Sequence, residues 1–133
     1  MMATVLDTHA TVWYLTAPNK LSPAALHAIR GATHAGEPLY VPSISMVEVV
    51  YLVERGRLSA AAFTKLLDAI DSAESALTVA PLDSGVADAV RRVPREMVPD
   101  MPDRIIAATA LHLGLPLVTR DQRIRASGIE AIW

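Results

Sequence analysis

Ala3-Thr4-Val5-Leu6-Asp7-Thr8-His9 is a short apolar run that stops at a carboxylate. β-prone and apolar residues bounded by polar ones read as a strand covered on both faces, as central strands of parallel sheets are. Asp7 then stands at the carboxyl end of that strand. Ligands of open α/β sheets bind in the crevice beyond those ends, so an acid there is a site candidate before any chemistry is considered.

Outward from this strand, helical and extended patterns alternate. Thr8 to Ala17 carries Val12, Trp13 and Leu15 and stops before Pro18, as a short helix does. Ser22-Pro23 opens a second helix over Ala24 to Thr33 that runs out near Gly36. Leu39-Tyr40-Val41 reads as a strand, and Pro42-Ser43-Ile44-Ser45 leads into a helix over Met46 to Glu54. The apolar residues of that helix fall on more than one face, so a buried helix or an oligomer contact is expected. Phe63, Leu66, Leu67 and Ile70 recur at helical spacing within Ser59 to Asp71, and Leu77 to Ala80 reads as a third strand. Asp83 or Ser84 caps a helix over Gly85 to Val93, after which Pro94, Pro99 and Pro102 mark the one irregular stretch. A helix over Asp103 to Leu113, closed by Gly114, precedes a strand at Leu117-Val118-Thr119. A short helix over Asp121 to Ala126 and a strand from Ile129 to Trp133 complete the pattern. Such alternation requires right-handed crossovers and predicts one domain over residues 1–133: a three-layer α/β/α arrangement around a mostly parallel sheet.

Composition narrows the function classes. A chain of 133 residues, 52% of them hydrophobic, suffices for one well-buried core. The formal charge of −2 gives no overall basic footprint for tight, sequence-independent nucleic-acid binding, although seven of the twelve Lys and Arg residues fall between Arg91 and Arg125. Without cysteine there are no disulfides or thiolate sites, so a bound metal has only oxygen or imidazole ligands, which favours a hard cation. The start of the chain lacks the features of a signal peptide, and no apolar run approaches about 18 residues, so a cytoplasmic protein without membrane association is expected.

The chemistry lies in where the acids fall. Asp7 ends the first strand, Glu48 lies in the helix after the second, Asp103 opens a helix, and Asp121 follows the fourth strand. If those strands are neighbours, the four carboxylates converge on one pocket rim. Two unit charges about 4 Å apart repel by about 4 kcal/mol at an effective dielectric near 20, so the cluster needs a positive partner. An all-oxygen set suits Mg²⁺ or Mn²⁺, and such a site suits attack of water on a phosphodiester. Each acid also has a plainer reading. Ser45-Met46-Val47-Glu48 matches a capping box, Asp103 and Asp121 suit helix starts, and Asp7 could cap the helix at Thr8.

VLDTH (Val5 to His9), SMVEVVYLVERGRL (Ser45 to Leu58), DMPDRIIAATAL (Asp100 to Leu111) and LVTRDQRIRASGIEAIW (Leu117 to Trp133) together resemble the signature regions of PIN-domain ribonucleases, more narrowly the VapC-type toxins of bacterial toxin–antitoxin pairs. The resemblance spans nearly the whole chain. It implies a PIN fold, Mg²⁺- or Mn²⁺-dependent endonucleolytic cleavage of RNA, a homodimer, and a hetero-oligomer with an inhibiting cognate antitoxin. It matches Asp7, Glu48, Asp103 and Asp121 to the family's acidic quartet and Thr119 to a hydroxyl position beside it. The chain departs from the pattern at Met101-Pro102, in a loop where many relatives read Pro-Phe, which leaves the role of Asp100 open.

Arg104 and Arg120 each adjoin a quartet acid and are candidates to hold an RNA phosphate or offset the charge, against a plain solvated role. His9 is expected to make a local hydrogen bond rather than bind metal, and His112 to be structural. Trp13, Tyr14 and Trp133 could stack on bases, but the core or a subunit interface is the stronger expectation. The alternative function is a catalytically inactive RNA- or protein-binding module whose acids only cap helices. A phosphotransfer domain using Asp7 as nucleophile is weaker, because Asp7-Thr8-His9 lacks a second acid two residues on and Glu48 is left without a role.

Overall fold

The computed structural model describes residues 2–133. Five parallel strands, β1 (Thr4–Leu6), β2 (Leu39–Pro42), β3 (Leu77–Ala80), β4 (Leu117–Val118) and β5 (Ala131–Ile132), form one sheet in the order β3-β2-β1-β4-β5. Around it lie α1 (Thr8–Thr16), α2 (Pro23–His34), α3 (Ser43–Glu54), α4 (Ala60–Asp71), α5 (Ser84–Ala89), α6 (Met101–Leu113) and α7 (Gln122–Ala126). No helix among the described residues is long and apolar enough to cross a membrane.

The opening strand explains the layering. Every residue of β1 is buried, and successive side chains alternate between faces. Val5 packs with Val86, Ala89, Ile106, Ala107 and Ile124 from α5, α6 and α7. Leu6 packs with Ala10, Ala25, Ile29 and Leu66 from α1, α2 and α4. Each fully buried side chain of this size contributes about 1.5–3 kcal/mol, so both faces reward the same uninterrupted apolar run. The three-layer α/β/α expectation holds.

Connectivity creates the crevice. The chain steps outward from β1 to β2 and β3, then returns past β1 to β4 and continues to β5. The strand order reverses between β1 and β4, the kind of switch point where open sheets bind ligands. The carboxyl ends of β2, β1 and β4 therefore lie side by side, with the starts of α1 and α3 just beyond them.

Several boundaries differ from the sequence reading. Pro42 pairs with Ala80 as the last residue of β2, and its φ of −55° leads directly into α3 at Ser43. The expected helix start at Met46 is thus three residues late, and the capping box over Ser45 to Glu48 is not formed. Ser45 instead sits in the first turn with a buried, unpartnered hydroxyl. Met101-Pro102 is not a loop but the first turn of α6, where proline loses no hydrogen bond. α5 stops at Ala89 and gives way to a 3₁₀ turn over Val90–Arg92, and β5 is shorter than Ile129 to Trp133. His112 is packed against α5 at Gly85, where any Cβ would collide with its ring, so its role is structural.

Candidate active site

Two of the acids are fixed by helix starts. Asp7 is the N-cap of α1, its Oδ1 accepting from the Ala10 N–H at 2.8 Å. Asp121 is the N-cap of α7, its Oδ1 accepting from Arg123 N–H at 2.8 Å and Ile124 N–H at 3.2 Å. Each leaves its second carboxylate oxygen outside these bonds. The fully buried Thr119 hydroxyl accepts from the Asp121 N–H at 3.1 Å, tying β4 to the cap.

The other two acids come from helix bodies. Glu48 lies on the second turn of α3, where its Oε1 accepts a 2.7 Å bond from the Thr8 hydroxyl of α1. Asp103 lies in the first turn of α6 and accepts no hydrogen bond from any described residue. Asp7, Glu48, Asp103 and Asp121 all line one cavity of about 390 Å³, together with Asp100, Thr8, His9 and Arg120. Strand adjacency has therefore gathered four acids from four separate segments, as the topology requires.

Their electrostatics are those of crowded, partly dry carboxylates. Desolvation pushes Asp7 above the usual carboxylate range, against hydrogen bonding from Thr119 and Ala10 and the nearby His9. Desolvation also raises Glu48, with Thr8 opposing and Asp100 adding to the shift. Asp103 is pushed up to about 7, first by desolvation and then by Asp121, Asp100, Glu48 and Asp7 in turn. Burial disfavours the charged form, and each neighbouring anion adds to that penalty.

A divalent cation fits this donor set in one specific way. Among the described residues no three His, Asp or Glu side chains form a ready-made metal shell. Mg²⁺ does not require one, since it takes one or two carboxylates directly and keeps several waters. All-oxygen donors are right for a hard ion, which would favour the charged forms that burial and the neighbouring acids disfavour.

The remaining sequence candidates divide. Arg120 lines the cavity. Arg104 does not: its Nη2 donates to the carbonyls of Val90 and Val93, both at 2.9 Å, clamping the 3₁₀ turn to α6. That departs from both weighed roles, beside the acids or free in solvent, and makes its part in α6 structural. His9 is an exposed cavity-wall residue tilted against Trp13 at 5.5 Å between ring centroids, and it makes no local hydrogen bond. Trp13 and Trp133 pack on the core, as expected. The Thr8 hydroxyl escaped the sequence reading, and Asp100, whose role the sequence left open, is the N-cap residue of α6 at the cavity wall. Of these, only Asp100 had a signal in the sequence, the Asp100–Asp103 spacing across a helix start.

Larger than this cavity is a groove of about 500 Å³ lined by Ile44, Val47, Tyr51, Leu52, Met101 and Pro102, which shares Glu48 and Asp100 with it. Its remaining walls are mostly apolar, with Arg55 the further charged residue, and only two of the five acids reach it, so the acid chemistry belongs to the smaller space.

The family model of the PIN domain matches residues 4–129. The chain belongs to the PIN-domain family. This PIN domain is 38% identical over 127 residues to Ribonuclease VapC22 of Mycobacterium tuberculosis (strain ATCC 25618 / H37Rv), covering 95% of this chain and 92% of that protein, which marks it as VapC-type. Its fold is similar to that in VapBC2 from Rickettsia felis bound to a promoter DNA fragment, with a TM-score of 0.71 and 16% identity over 99% of this chain and 100% of that one. DNA-bound VapBC from Salmonella typhimurium gives 0.66 at 22% identity over 98% and 97%. A toxin–antitoxin complex from Klebsiella pneumoniae gives 0.66 at 18% over 98% and 96%.

Proposed function

We propose that this PIN domain is a Mg²⁺- or Mn²⁺-dependent endoribonuclease and the toxin of a toxin–antitoxin pair. The observation that carries the reading is the convergence of Asp7, Glu48, Asp103 and Asp121 on one cavity at the switch point of the sheet. Similarity to a VapC ribonuclease over nearly the whole chain supports the reaction class.

Asp7 and Asp121 would hold the ion, since the capping bonds fix both carboxylates in place. When bound, a divalent ion lowers the pKa of its water and stabilises charge developing on the phosphate. Glu48 and Asp103, free of capping duties, orient the attacking water and take its proton. The water oxygen bonds to phosphorus, one P–O ester bond breaks, and the departing oxygen takes up the proton that the carboxylates removed from the water. Thr8 holds Glu48 toward the cavity, and Thr119 braces the Asp121 turn.

Incubating the purified protein with single-stranded RNA in Mn²⁺ or in EDTA tests the reading. Internal cleavage in Mn²⁺ alone is expected, and intact RNA in both contradicts it. For partners, the reading names a cognate antitoxin encoded nearby and a homodimer. Co-expression with an adjacent small gene product should give a complex that no longer cleaves RNA, and light scattering should give twice the chain mass for the free protein.

The alternative, a binding module whose acids are caps, draws support from Asp7 and Asp121, which do cap helices. It gives Asp103 only the helix dipole of α6 and leaves Glu48, on the second turn of α3, without a role.

A further inference from the structure

Arg120 adjoins Asp121 and lines the acid cavity, yet it pairs with no carboxylate. Among the described residues the salt bridge present is Arg91 to Asp88, and the guanidinium hydrogen bonds are those of Arg91 and Arg104. Arg120 instead places its Cζ 4.7 Å from the centroid of the Trp13 ring. Lys20 approaches the same ring, its Nζ 6.0 Å from the centroid. Trp13 is held in turn by packing on the core and by the Trp133 ring at 5.9 Å. A guanidinium that lies on a ring while carboxylates stand nearby keeps its fork of N–H donors open to another anion.

The geometry points to a phosphate-binding track leaving the acid cavity over Trp13, with Arg120 and Lys20 holding successive phosphates of an unpaired RNA strand next to the one cleaved. This inference rests on the nuclease reading and extends it to the substrate. Five acids at one cavity repel a polyanion, so productive approach needs fixed cations at the rim. Arginine matches phosphate in a bidentate manner, and lysine serves as a point charge. Fixed cations that track the backbone, with cation–π contacts from Arg, are part of how proteins follow single strands without reading sequence. Trp13 is a positioning residue: it touches the cations, and they touch the RNA.

The test is the affinity for a fluorescent single-stranded oligoribonucleotide in EDTA over a range of salt, with kcat and KM for cleavage in Mn²⁺ measured alongside. Arg120→Gln and Lys20→Gln should each flatten the slope of log affinity against log salt by about 0.7 and weaken binding alike for all sequences. Arg120→Lys should restore the slope. Trp13→Leu keeps an apolar side chain on the core but removes the ring, and it should raise KM more than it lowers kcat, with Trp13→Phe between it and the wild type. Unchanged slopes in both Gln variants would overturn the track, as would a Trp13→Leu enzyme with normal KM and reduced kcat. Gln variants that bind RNA normally but lose a protein partner would assign these cations to a protein interface and overturn it equally. Wild-type protein that binds RNA but cuts nothing in Mn²⁺ would fail the nuclease reading itself, and unchanged slopes in a cleaving enzyme would fail the track alone.

Discussion

The acids facing the cavity come in two kinds. Asp7 and Asp121, at the tips of β1 and β4, each commit one oxygen to the N–H groups that open a helix. Glu48 and Asp103, on the bodies of α3 and α6, cap nothing, and Asp103 receives no hydrogen bond from any described residue. Backbone donors fix the first pair's position, although burial still raises Asp7 above the usual carboxylate range. Asp103, which has no such donors, is pushed up to about 7, first by desolvation and then by the neighbouring carboxylates. Strand tips thus hold their acids by capping bonds, and helix bodies present theirs without backbone donors.

The widest separation between the two kinds should appear on neutralising single acids. Asn caps a helix as well as Asp does, so Asp7→Asn should fold normally while cleavage in Mn²⁺ falls by about a hundredfold or more. Cleavage assays beside a thermal melt check both halves, and a variant still cutting within tenfold of wild type breaks the account of Asp7.

Next comes the ion's effect on stability. At about one hundred times its dissociation constant, Mg²⁺ or Mn²⁺ should add about 2.7 kcal/mol to unfolding. Denaturant melts with and without EDTA should show this gain in the wild type and a smaller one in Asp103→Asn, because fewer charges then need the ion.

The pH dependence follows from the direction of the Asp103 shift. Its folded pKa lies above the unfolded value, so the protonated form is the more stable one when folded. That stability is fully present below pH 3.8 and is lost as pH rises through about 7. For a half-exposed group, solvent screening leaves a loss of about 1–2 kcal/mol. Melts of the metal-free protein at pH 5 and pH 8 should show this decline, and Asp103→Asn should flatten it.

The smallest effect separates cap from charge. Asp121→Ala removes the α7 cap and should cost about 1 kcal/mol more than Asp121→Asn, which keeps it. Equal melts for the two would mean that the cap contributes nothing.

How much of this was legible in the sequence depends on which contacts are local. A strand covered on both faces must be continuously apolar, and an acid ending it must stand at the sheet edge, so Val5, Leu6 and Asp7 announced the centre of the fold. Asp121 was legible for the same reason, one strand away. Glu48 was found on a pattern that also fitted a capping box, and only the earlier start of α3 removes that reading. Arg104 misled because sequence adjacency to Asp103 is not spatial adjacency: consecutive helix residues point in different directions, and its guanidinium reaches Val90 and Val93 instead. The Thr8–Glu48 bond joins residues far apart in the chain, and no local signal encodes such a pair.

The most direct test is a ¹³C NMR titration of the Asp103 side-chain carboxyl in metal-free protein and again with saturating Mg²⁺. Carboxylates gathered in one cavity and relieved by a cation predict titration at about 7 without the ion and a fall into the ordinary carboxylate range with it. Titration near 3.8 in both samples would mean that the four acids do not share their charge, and the central claim would be wrong.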